Sequence, residues 1–413
     1  MPIRAPERTR RGRTRAAALA LAAVLSAAVP GCGGPGPADR GAARTLGAGA
    51  GTGTGAAATR QADGRHTEAA LRAAVRRLAA EGSAPGAAAL ARDGDGTRFA
   101  SAGLADLRTG RRILRNDRFR AGSITKTLIA TVVLQLADER RLGLDDTVEE
   151  HLPGLVRGRG NDGRKITLRQ LLTHTSGLFD FAVDQRVARR LSRPPTAAPL
   201  TPRQLVRTAV AHRPRFAPGA AWHYSNTNYV LLGLVVQRVT GRPYAAETER
   251  RVLGPLGLRG TSFPGARGTL PTPHGRGYAP ITGTGTGTGT GTPRDVTVLD
   301  PSAAGAAGEA ISTLDDLARF FGALPRGGLL PPAALRRMRD TTASDGRYGM
   351  GLFPVRLSCG VTLWGHNGQI NGSYAQVVAT PDGRRVLAYR LNTEARPAAA
   401  AERALLKAEF CRT

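Results

Sequence analysis

The sequence contains very little lysine, few aromatic residues and few cysteines. Three of its 59 basic residues are lysines (Lys126, Lys165 and Lys407), aromatic residues make up 5%, and cysteine occurs three times. No apolar run reaches the roughly 18 residues of a membrane-spanning helix, which excludes a polytopic membrane protein. The 53 glycines do not recur at every third position, which excludes a collagen-like fibre. With 413 residues, 41% of them hydrophobic, the composition indicates a globular chain with a large core.

The net charge of +28 comes almost wholly from arginine. The arginines are scattered along the chain, without a basic patch interleaved with aromatic residues and without a recognisable nucleic-acid motif. We therefore expect no nucleic-acid partner. A charge of this size favours at most an attraction to polyanions such as cell-wall polymers.

The first 31 residues have the pattern of a signal peptide. Residues 1–15 carry six arginines, and an apolar stretch follows from 16 to 29. A charged segment, an apolar segment of about 7–15 residues and small residues near a cleavage point define that pattern. Val29-Pro30-Gly31-Cys32 also resembles a bacterial lipobox, whose cysteine carries a lipid. We predict a secreted or extracytoplasmic protein that touches a membrane only if Cys32 is lipidated.

A tether and one folded domain are predicted after the signal peptide. Residues 32–65 are rich in Gly, Ala and Thr and lack hydrophobic periodicity, which predicts a low-complexity tether. The folded domain spans 66–413 and begins with a helix, because Leu71, Val75 and Leu78 recur at helical spacing. Within it, the Thr-Gly run at 282–292 has no apolar residue to bury and predicts a mobile surface loop.

Predicted strands at both ends of the domain flank a helical middle. Residues 87–91 and 97–102 flank Asp93-Gly94-Asp95-Gly96, which is typical of a β-hairpin. The later predicted strands are 349–357, 361–365, 373–379 and 385–391, and a helix over 398–410 closes the chain. The predicted helices between the two groups include 124–140, 168–172, 202–211 and 228–240. This order predicts an α+β fold, with a central antiparallel sheet flanked by helices and a mostly helical second lobe.

Cys359 and Cys411 are the two cysteines of the predicted domain. An exported protein meets oxidising conditions, which favour a disulfide between them. Two buried thiols are the alternative, because free cysteine is often buried in a core.

The first motif that carries chemistry is Ser123-Ile124-Thr125-Lys126, at the start of an apolar helix. Residues three apart lie on the same helix face, so Ser123 and Lys126 are neighbours. A serine hydroxyl needs an adjacent base to become a nucleophile, and a desolvated neutral lysine can be that base whereas arginine cannot. A lysine in a sequence that nearly always uses arginine therefore indicates that titration matters here. A helix-capping serine beside a solvated lysine is the alternative.

Two further motifs follow in the chain. Tyr224-Ser225-Asn226 places a phenol that can relay a proton beside an amide that can hydrogen-bond a substrate. Gly365-His366-Asn367-Gly368 lies at the end of a predicted strand. Each of these two motifs alone is weak evidence for an active site. They become informative because they follow the serine–lysine motif in this order.

The three motifs together resemble the S-x-x-K, Y-x-N and [KH]-x-G triple of the penicillin-recognising serine hydrolases. The resemblance is closest to the serine D-Ala-D-Ala carboxypeptidases and class C β-lactamases. It extends over about residues 68–411 and includes Thr173-His174-Thr175-Ser176-Gly177-Leu178. It implies the β-lactamase/transpeptidase-like fold, a Cys359–Cys411 bridge, and neither a metal nor another cofactor.

The resemblance also implies roles for the site residues. Ser123 becomes acylated, while Lys126 and Tyr224 handle the proton and the assignment of the base between them stays open. The substrate-binding residues it implies are Asn226, His366, Gly368 and Gln369. The backbone N–H groups of Ser123 and Gln369 are expected to form the oxyanion hole.

The leading hypothesis is an exported, monomeric peptidase of the D-alanyl-D-alanine carboxypeptidase type, acting on small acyl or peptide substrates and on cell-wall peptidoglycan. A related β-lactamase, esterase or D-amino-acid amidase is the first alternative. A non-catalytic wall-binding protein with the same fold is the second, and the intact Ser123, Lys126 and Tyr224 set argues against it.

The sequence departs from the carboxypeptidases where a substrate carboxylate would bind. Phe353 lies about where those enzymes carry an arginine, and Asn367 and Gln369 replace threonines. Arg356 lies three residues after Phe353, and the alternation of a strand predicts that it points to the opposite face. These departures predict weak carboxypeptidase activity and better hydrolysis of uncharged esters or amides.

Overall fold

The computed structural model describes residues 55–411 except 83, 95, 192–193, 196–197 and 280–292. The predicted signal peptide, Cys32 and the Thr-Gly run at 282–292 lie outside the described residues, as does the predicted tether up to residue 54. No helix in these described ranges is long and apolar enough to cross a membrane.

Ten strands are found in the described part of the chain. In chain order they are β1 (Gly86–Asp93), β2 (Gly96–Gly103), β3 (Phe119–Arg120), β4 (Arg157–Gly158), β5 (Asn161–Asp162), β6 (Ile311–Ser312), β7 (Phe353–Arg356), β8 (Thr362–Ile370), β9 (Ser373–Ala379) and β10 (Val386–Leu391). Six of them form one antiparallel sheet in the order β2-β1-β10-β9-β8-β7. The pairs β3–β6 and β4–β5 form two small separate sheets.

Twelve α-helices complete the described structure. They are α1 (Gly55–Glu81), α2 (Thr125–Asp138), α3 (Val148–His151), α4 (Leu168–Leu172), α5 (Gln185–Leu191), α6 (Pro202–Val210), α7 (Asn226–Thr240), α8 (Tyr244–Thr248), α9 (Gly254–Leu256), α10 (Leu314–Ala323), α11 (Pro332–Arg339) and α12 (Ala399–Phe410). Short 3-10 turns lie between them, and a π-helical turn, Glu249–Leu253, joins α8 to α9.

Helices cover both faces of the six-stranded sheet. On one face α1 and α12 pack together over a core that includes Leu71, Leu405 and Tyr389. On the other face α10 packs on β1, β9 and β10, and this core continues into the helical lobe around α2 and α7. Because both faces are covered, β1 is buried on both sides over residues 87–91. The predicted α+β fold class is confirmed.

The structure corrects three predicted element boundaries. The first helix begins at Gly55 rather than at residue 66, so residues 55–65 of the predicted tether are helical. The strand predicted over 349–357 is shortened to β7, because 349–352 turn against α11, with Met350 N–H donating to the Met338 carbonyl. The strand predicted to end at 365 continues as β8 to Ile370, so the His366 motif lies inside a strand.

The predicted disulfide is confirmed, since Cys359 and Cys411 are bonded in the structure. Cys359 lies in the turn between β7 and β8, and Cys411 directly follows α12. The bridge therefore ties the C-terminal helix to the two strands that border the site described below.

We expect removal of this bridge to destabilise the protein. The two cysteines are 52 residues apart, and closing such a loop is worth about 4 kcal/mol in the chain-entropy model. The double change Cys359→Ser and Cys411→Ser should lower the free energy of unfolding by roughly that amount, measured by denaturant titration. The exposed Ser358→Ala change serves as the control, and an unchanged unfolding midpoint in the double variant would contradict the expectation.

Candidate active site

Ser123 lies in a single 3-10 turn, Gly122–Ile124, that leads directly into α2. Thr125 stabilises the turn by donating its hydroxyl to the Gly122 carbonyl, at 2.7 Å. The helix is buried almost throughout, whereas Ser123 remains partly exposed at its start. The sequence thus places a hydroxyl at the surface of a cavity and the rest of α2 in the core.

Lys126 is completely buried one turn after Ser123. Its Nζ contacts the Ser123 Oγ at 3.0 Å, the Asn226 Oδ1 at 2.8 Å and the Ala307 carbonyl at 2.6 Å. Burial lowers the pKa of Lys126 to about 7, and the charge of Asp180 offsets part of this shift. A substantial fraction of the amine is therefore neutral near pH 7, and its lone pair can accept the Ser123 proton.

Asp180 is a site residue that the sequence analysis missed. One of its oxygens accepts hydrogen bonds from the Asn226 N–H at 3.1 Å and from the Ala182 N–H at 3.0 Å. The Asn226 side-chain Nδ2 also donates to the carboxylate, at 3.0 and 3.2 Å. This contact fixes the amide so that its oxygen faces Lys126. Burial raises the pKa of Asp180, and these hydrogen bonds offset part of the rise. The only sequence signal was its place just after the 173–178 stretch.

Tyr224 lies beside the Lys126 amine, two residues before the start of α7. The Lys126 Nζ is 4.8 Å from the Tyr224 ring centroid. Burial raises the pKa of Tyr224 well above its usual value, and the nearby Ser123 hydroxyl offsets only part of this effect. Its hydroxyl oxygen is buried with no hydrogen-bond partner of good geometry among the described residues. A tyrosinate is therefore unfavourable here, and Lys126 is the better proton acceptor.

The buried ring of His174 packs against the ring of Tyr224. Its ring centroid is 4.2 Å from that of Tyr224, and its Nδ1 accepts hydrogen bonds from the Ser225 N–H and the Asn228 Nδ2. Two donors at Nδ1 place the ring proton on Nε2. Burial, with a smaller effect of the Lys126 charge, lowers the pKa of His174 well below its usual value. His174 is therefore neutral and structural.

His366 is buried in β8, a different element from those that carry Lys126 and Tyr224. Its Nδ1 donates to the Asn367 carbonyl at 2.6 Å, and its Nε2 accepts the Tyr348 hydroxyl at 2.8 Å. These two contacts fix one neutral tautomer. Burial lowers the pKa of His366 to about 3, so the ring carries no charge at physiological pH.

Two glycines let β8 approach the nucleophile turn. A Cβ on Gly368 would lie 1.7 Å from the Ala121 carbonyl oxygen, and a Cβ on Gly122 would lie 2.7 Å from the Gln369 nitrogen. The Gly122 φ of +54° also favours glycine. Gly368 serves this packing and does not line the cavity, unlike Asn226, His366 and Gln369.

The strand register orients the Gln369 N–H toward the cavity. Ile370 and Ser373 flank a two-residue turn and form a hydrogen-bonded pair between β8 and β9. Hydrogen-bonded and non-hydrogen-bonded pairs alternate along an antiparallel ladder, so the next pair, Gln369 and Tyr374, is not hydrogen-bonded. The Gln369 N–H therefore points away from β9. β7 pairs with β8 only as far as Gly365, so no strand covers the backbone of Gln369 on the side away from β9. The Gln369 N–H and that of Ser123 can therefore both face a substrate carbonyl oxygen.

A cavity of about 660 Å³ is bordered by Ser123, Tyr224, Asn226, His366 and Gln369. Phe353 contributes an apolar wall, with its ring centroid 5.4 Å from that of His366. Arg356 is exposed and borders the cavity, as does every residue from Phe353 to Leu357. That its side chain points to the face opposite Phe353 therefore stays a prediction. No cluster of three or more potential metal ligands occurs in the described ranges.

Comparison with known proteins places this arrangement in a family. The chain matches the Beta-lactamase family model over residues 71–412. It is 44% identical to the solved D-stereospecific amidohydrolase from Streptomyces sp., with a TM-score of 0.74, covering 84% of this chain and 99% of that one.

Two curated relatives show how varied such proteins are. Penicillin-binding protein 4 of Amycolatopsis lactamdurans is 29% identical over 335 residues, which is 76% of this chain and 82% of that protein. Esterase EstB of Burkholderia gladioli is 35% identical over 201 residues, 43% of this chain and 46% of the esterase. The match to the esterase thus spans about half its length.

We expect Lys126→Arg to lower kcat/KM by about 10²–10⁴-fold, the usual contribution of a general base, because arginine keeps the charge but stays protonated. Ser123→Ala should abolish acyl-enzyme formation, detected by intact-protein mass after incubation with labelled penicillin or an activated ester. Lys165→Arg, at an exposed lysine, is the matched control and should keep full activity. An active Lys126→Arg protein would show that Lys126 is not the base.

We expect kcat/KM to fall as the pH drops through about 7, because protonated Lys126 cannot accept a proton. Asp180→Asn removes a negative charge that favours the ammonium form, so the pKa of Lys126 should fall further. The acid limb of the pH profile should then move to lower pH, with a reduced plateau because Asn226 loses a hydrogen bond. Asp184→Asn is the control, and an unmoved limb in Asp180→Asn would contradict this coupling.

Proposed function

The chain belongs to the beta-lactamase family of serine hydrolases, and on that premise we propose that it hydrolyses amides or esters of D-amino acids whose leaving group lacks a terminal carboxylate. The D-stereospecific amidohydrolase that resembles it over most of both chains supports this substrate class. The carboxypeptidase activity expected from the motifs becomes the second candidate.

The observation that carries the proposal is the uncharged wall of the cavity at His366 and Phe353. A terminal carboxylate is best recognised by a charged, bidentate donor such as arginine. His366 is neutral because both its nitrogens are engaged and burial lowers its pKa to about 3. Phe353 is apolar and 6% exposed. This wall accepts an amide or ester group at lower desolvation cost than a carboxylate.

Four arginines border the cavity, and all of them are exposed: Arg347, Arg356, Arg396 and Arg403. Arg347 lies 5.7 Å from the Trp222 ring centroid and pairs with Asp345 at 3.3 Å. Exposed ion pairs contribute about 0–1 kcal/mol, so none of the four arginines anchors a carboxylate firmly.

The proposed reaction begins when neutral Lys126 takes the Ser123 hydroxyl proton and the oxygen attacks the substrate carbonyl. The N–H groups of Ser123 and Gln369 stabilise the oxyanion of the tetrahedral intermediate. The C–N or C–O bond then breaks, and the lysine proton passes to the leaving amine or alcohol, with the Tyr224 hydroxyl as a relay. Water, deprotonated by the same amine, finally cleaves the acyl-serine ester and restores Ser123.

Asn226 has a different role here from the one that the resemblance implies. Its oxygen contacts Lys126, and its nitrogen donates to both oxygens of Asp180. Both ends of the amide are therefore engaged before any substrate arrives. We assign Asn226 to positioning the lysine amine rather than to binding the substrate's amide.

The second candidate is a D-alanyl-D-alanine carboxypeptidase that trims cell-wall peptides. The penicillin-binding protein that resembles this chain over 82% of its length favours it. The Cys359–Cys411 bridge supports export, because disulfides persist in oxidising compartments. Export and wall substrates are compatible with either activity.

A single pair of substrates separates the two candidates. We expect kcat/KM for a D-alanyl-D-alanine peptide with a C-terminal amide to exceed that for the free acid by about tenfold to a hundredfold, because desolvating a carboxylate without a charged partner costs about 1–3 kcal/mol more than desolvating the amide. D-Phenylalanine amide should also be cleaved faster than its L enantiomer. Ser123→Ala is the blank for both assays. A hundredfold preference for the free acid, lost in Arg356→Gln or Arg347→Gln, would establish the carboxypeptidase instead.

A further inference from the structure

Two buried arginines outside the active site have unused hydrogen-bond donors. Arg120 in β3 is 4% exposed, and Arg390 in β10 is 3% exposed. In both, Nε and Nη1 have no partner among the residues that the structure describes. Arg120 uses its Nη2 on the carbonyls of Gly268 and Thr297. Buried guanidinium donors are normally satisfied, so these four nitrogens indicate a missing acceptor.

Both arginines line the same small cavity, which is separate from the one that Ser123 borders. Its volume is about 20 Å³, and one water needs about 10–15 Å³. Arg118 and Arg276 also line it, and none of its described lining residues is acidic. The missing acceptor is therefore small and lies among four arginines. One of the four arginines is already balanced, because Arg276 forms ion pairs with Asp106 at 3.0 Å and with Asp295.

Two other nearby carboxylates have partners outside the cavity. Asp117 forms an ion pair with Arg111 at 3.1 Å, although its Oδ1 makes no hydrogen bond of good geometry among the described residues. Glu309 accepts hydrogen bonds from the Tyr244 hydroxyl and, at 3.0 Å, from the Gly265 N–H. These two carboxylates offset the charges of Arg390 and Arg120 only from a distance. The excess of positive charge therefore comes from Arg118, Arg120 and Arg390, and a neutral water would not balance it.

We propose that Arg120 and Arg390 together bind one monatomic halide, chloride under ordinary conditions, in this cavity. The available volume excludes polyatomic anions such as phosphate or a carboxylate ligand. The unused Nε and Nη1 groups of the two guanidiniums supply donors for it, and the halide supplies the charge that the nearby carboxylates do not.

The site lies directly behind the catalytic backbone. Arg120 precedes Ser123 by three residues, and its carbonyl accepts the Ser373 hydroxyl at 2.8 Å. Ser373 pairs with Ile370, the residue after Gln369. The turn residues Asn371 and Gly372 line the same cavity. A bound halide thus links the two segments that present the Ser123 and Gln369 N–H groups.

Bromide tests the site directly in the unmodified protein. Crystals grown or soaked in sodium bromide should show an anomalous difference peak between the Arg120 and Arg390 guanidiniums, and that peak should disappear when bromide is exchanged for chloride. Weak surface peaks elsewhere are expected from the net positive charge and serve as the internal reference. A cavity that holds only a water-sized peak without anomalous signal would overturn the proposal.

Thermal unfolding provides a test that needs neither crystals nor substrate, and so stands apart from the proposed activity. At constant ionic strength, replacing gluconate with chloride should raise Tm with the logarithm of chloride concentration above Kd, by about 2–3 °C at twentyfold excess over Kd. Arg390→Met should remove this logarithmic rise. Arg339→Met, at a half-buried arginine on α11 outside the cavity, should keep it. An unchanged Tm, or one that rises only linearly with chloride concentration, in the unmodified protein would contradict binding.

Discussion

The complete burial of the Lys126 amine is the constraint on which the rest of the site depends. A buried amine must have each of its donors satisfied, and three separate segments meet this need: the nucleophile turn, the start of α7 and the 3-10 turn Gly305–Ala307. The same burial lowers the pKa of Lys126 to about 7, as a base in the proposed mechanism requires. Burial of one amine thus organises the backbone around the site and allows Lys126 to accept the Ser123 proton.

The polar groups around this amine set one another's orientation and pKa. Asp180 holds Asn226 in the orientation that serves Lys126, and its charge limits how far the lysine pKa falls. His174 is kept neutral by burial, so its ring can pack on Tyr224 without adding a positive charge near the amine. The site therefore combines one titrating amine with two histidines, His174 and His366, that burial keeps neutral.

The side of the cavity formed by β8 depends on backbone packing rather than on charge. Gly122 and Gly368 allow β8 to approach the nucleophile turn closely enough for the Gln369 N–H to lie beside Ser123. β8 is held by β9 on one side and, through the turn with Cys359, by the bridge to the end of α12. In the same strand His366 is held in one neutral tautomer, and the proposed preference for neutral leaving groups depends on this uncharged side chain. β8 therefore contributes both to the packing of the fold and to the proposed substrate preference.

Local patterns in the sequence predicted Ser123 as the candidate nucleophile, the first hairpin and the helices α2 and α7, because residues a few positions apart suffice to define them. The α+β fold class followed from the order of these elements along the chain. The choice of the base between Lys126 and Tyr224 stayed open until the burial of both groups was known. The extension of β8 escaped prediction because His, Asn and Gly favour turns, and pairing with β9 overrides that preference. The polar groups that meet in the structure come from separate segments of the chain, as in the pairs Asp180 with Asn226, Tyr348 with His366, and Arg120 with Arg390. Only tertiary packing decided which of these polar groups meet away from water, and burial then determined their charges.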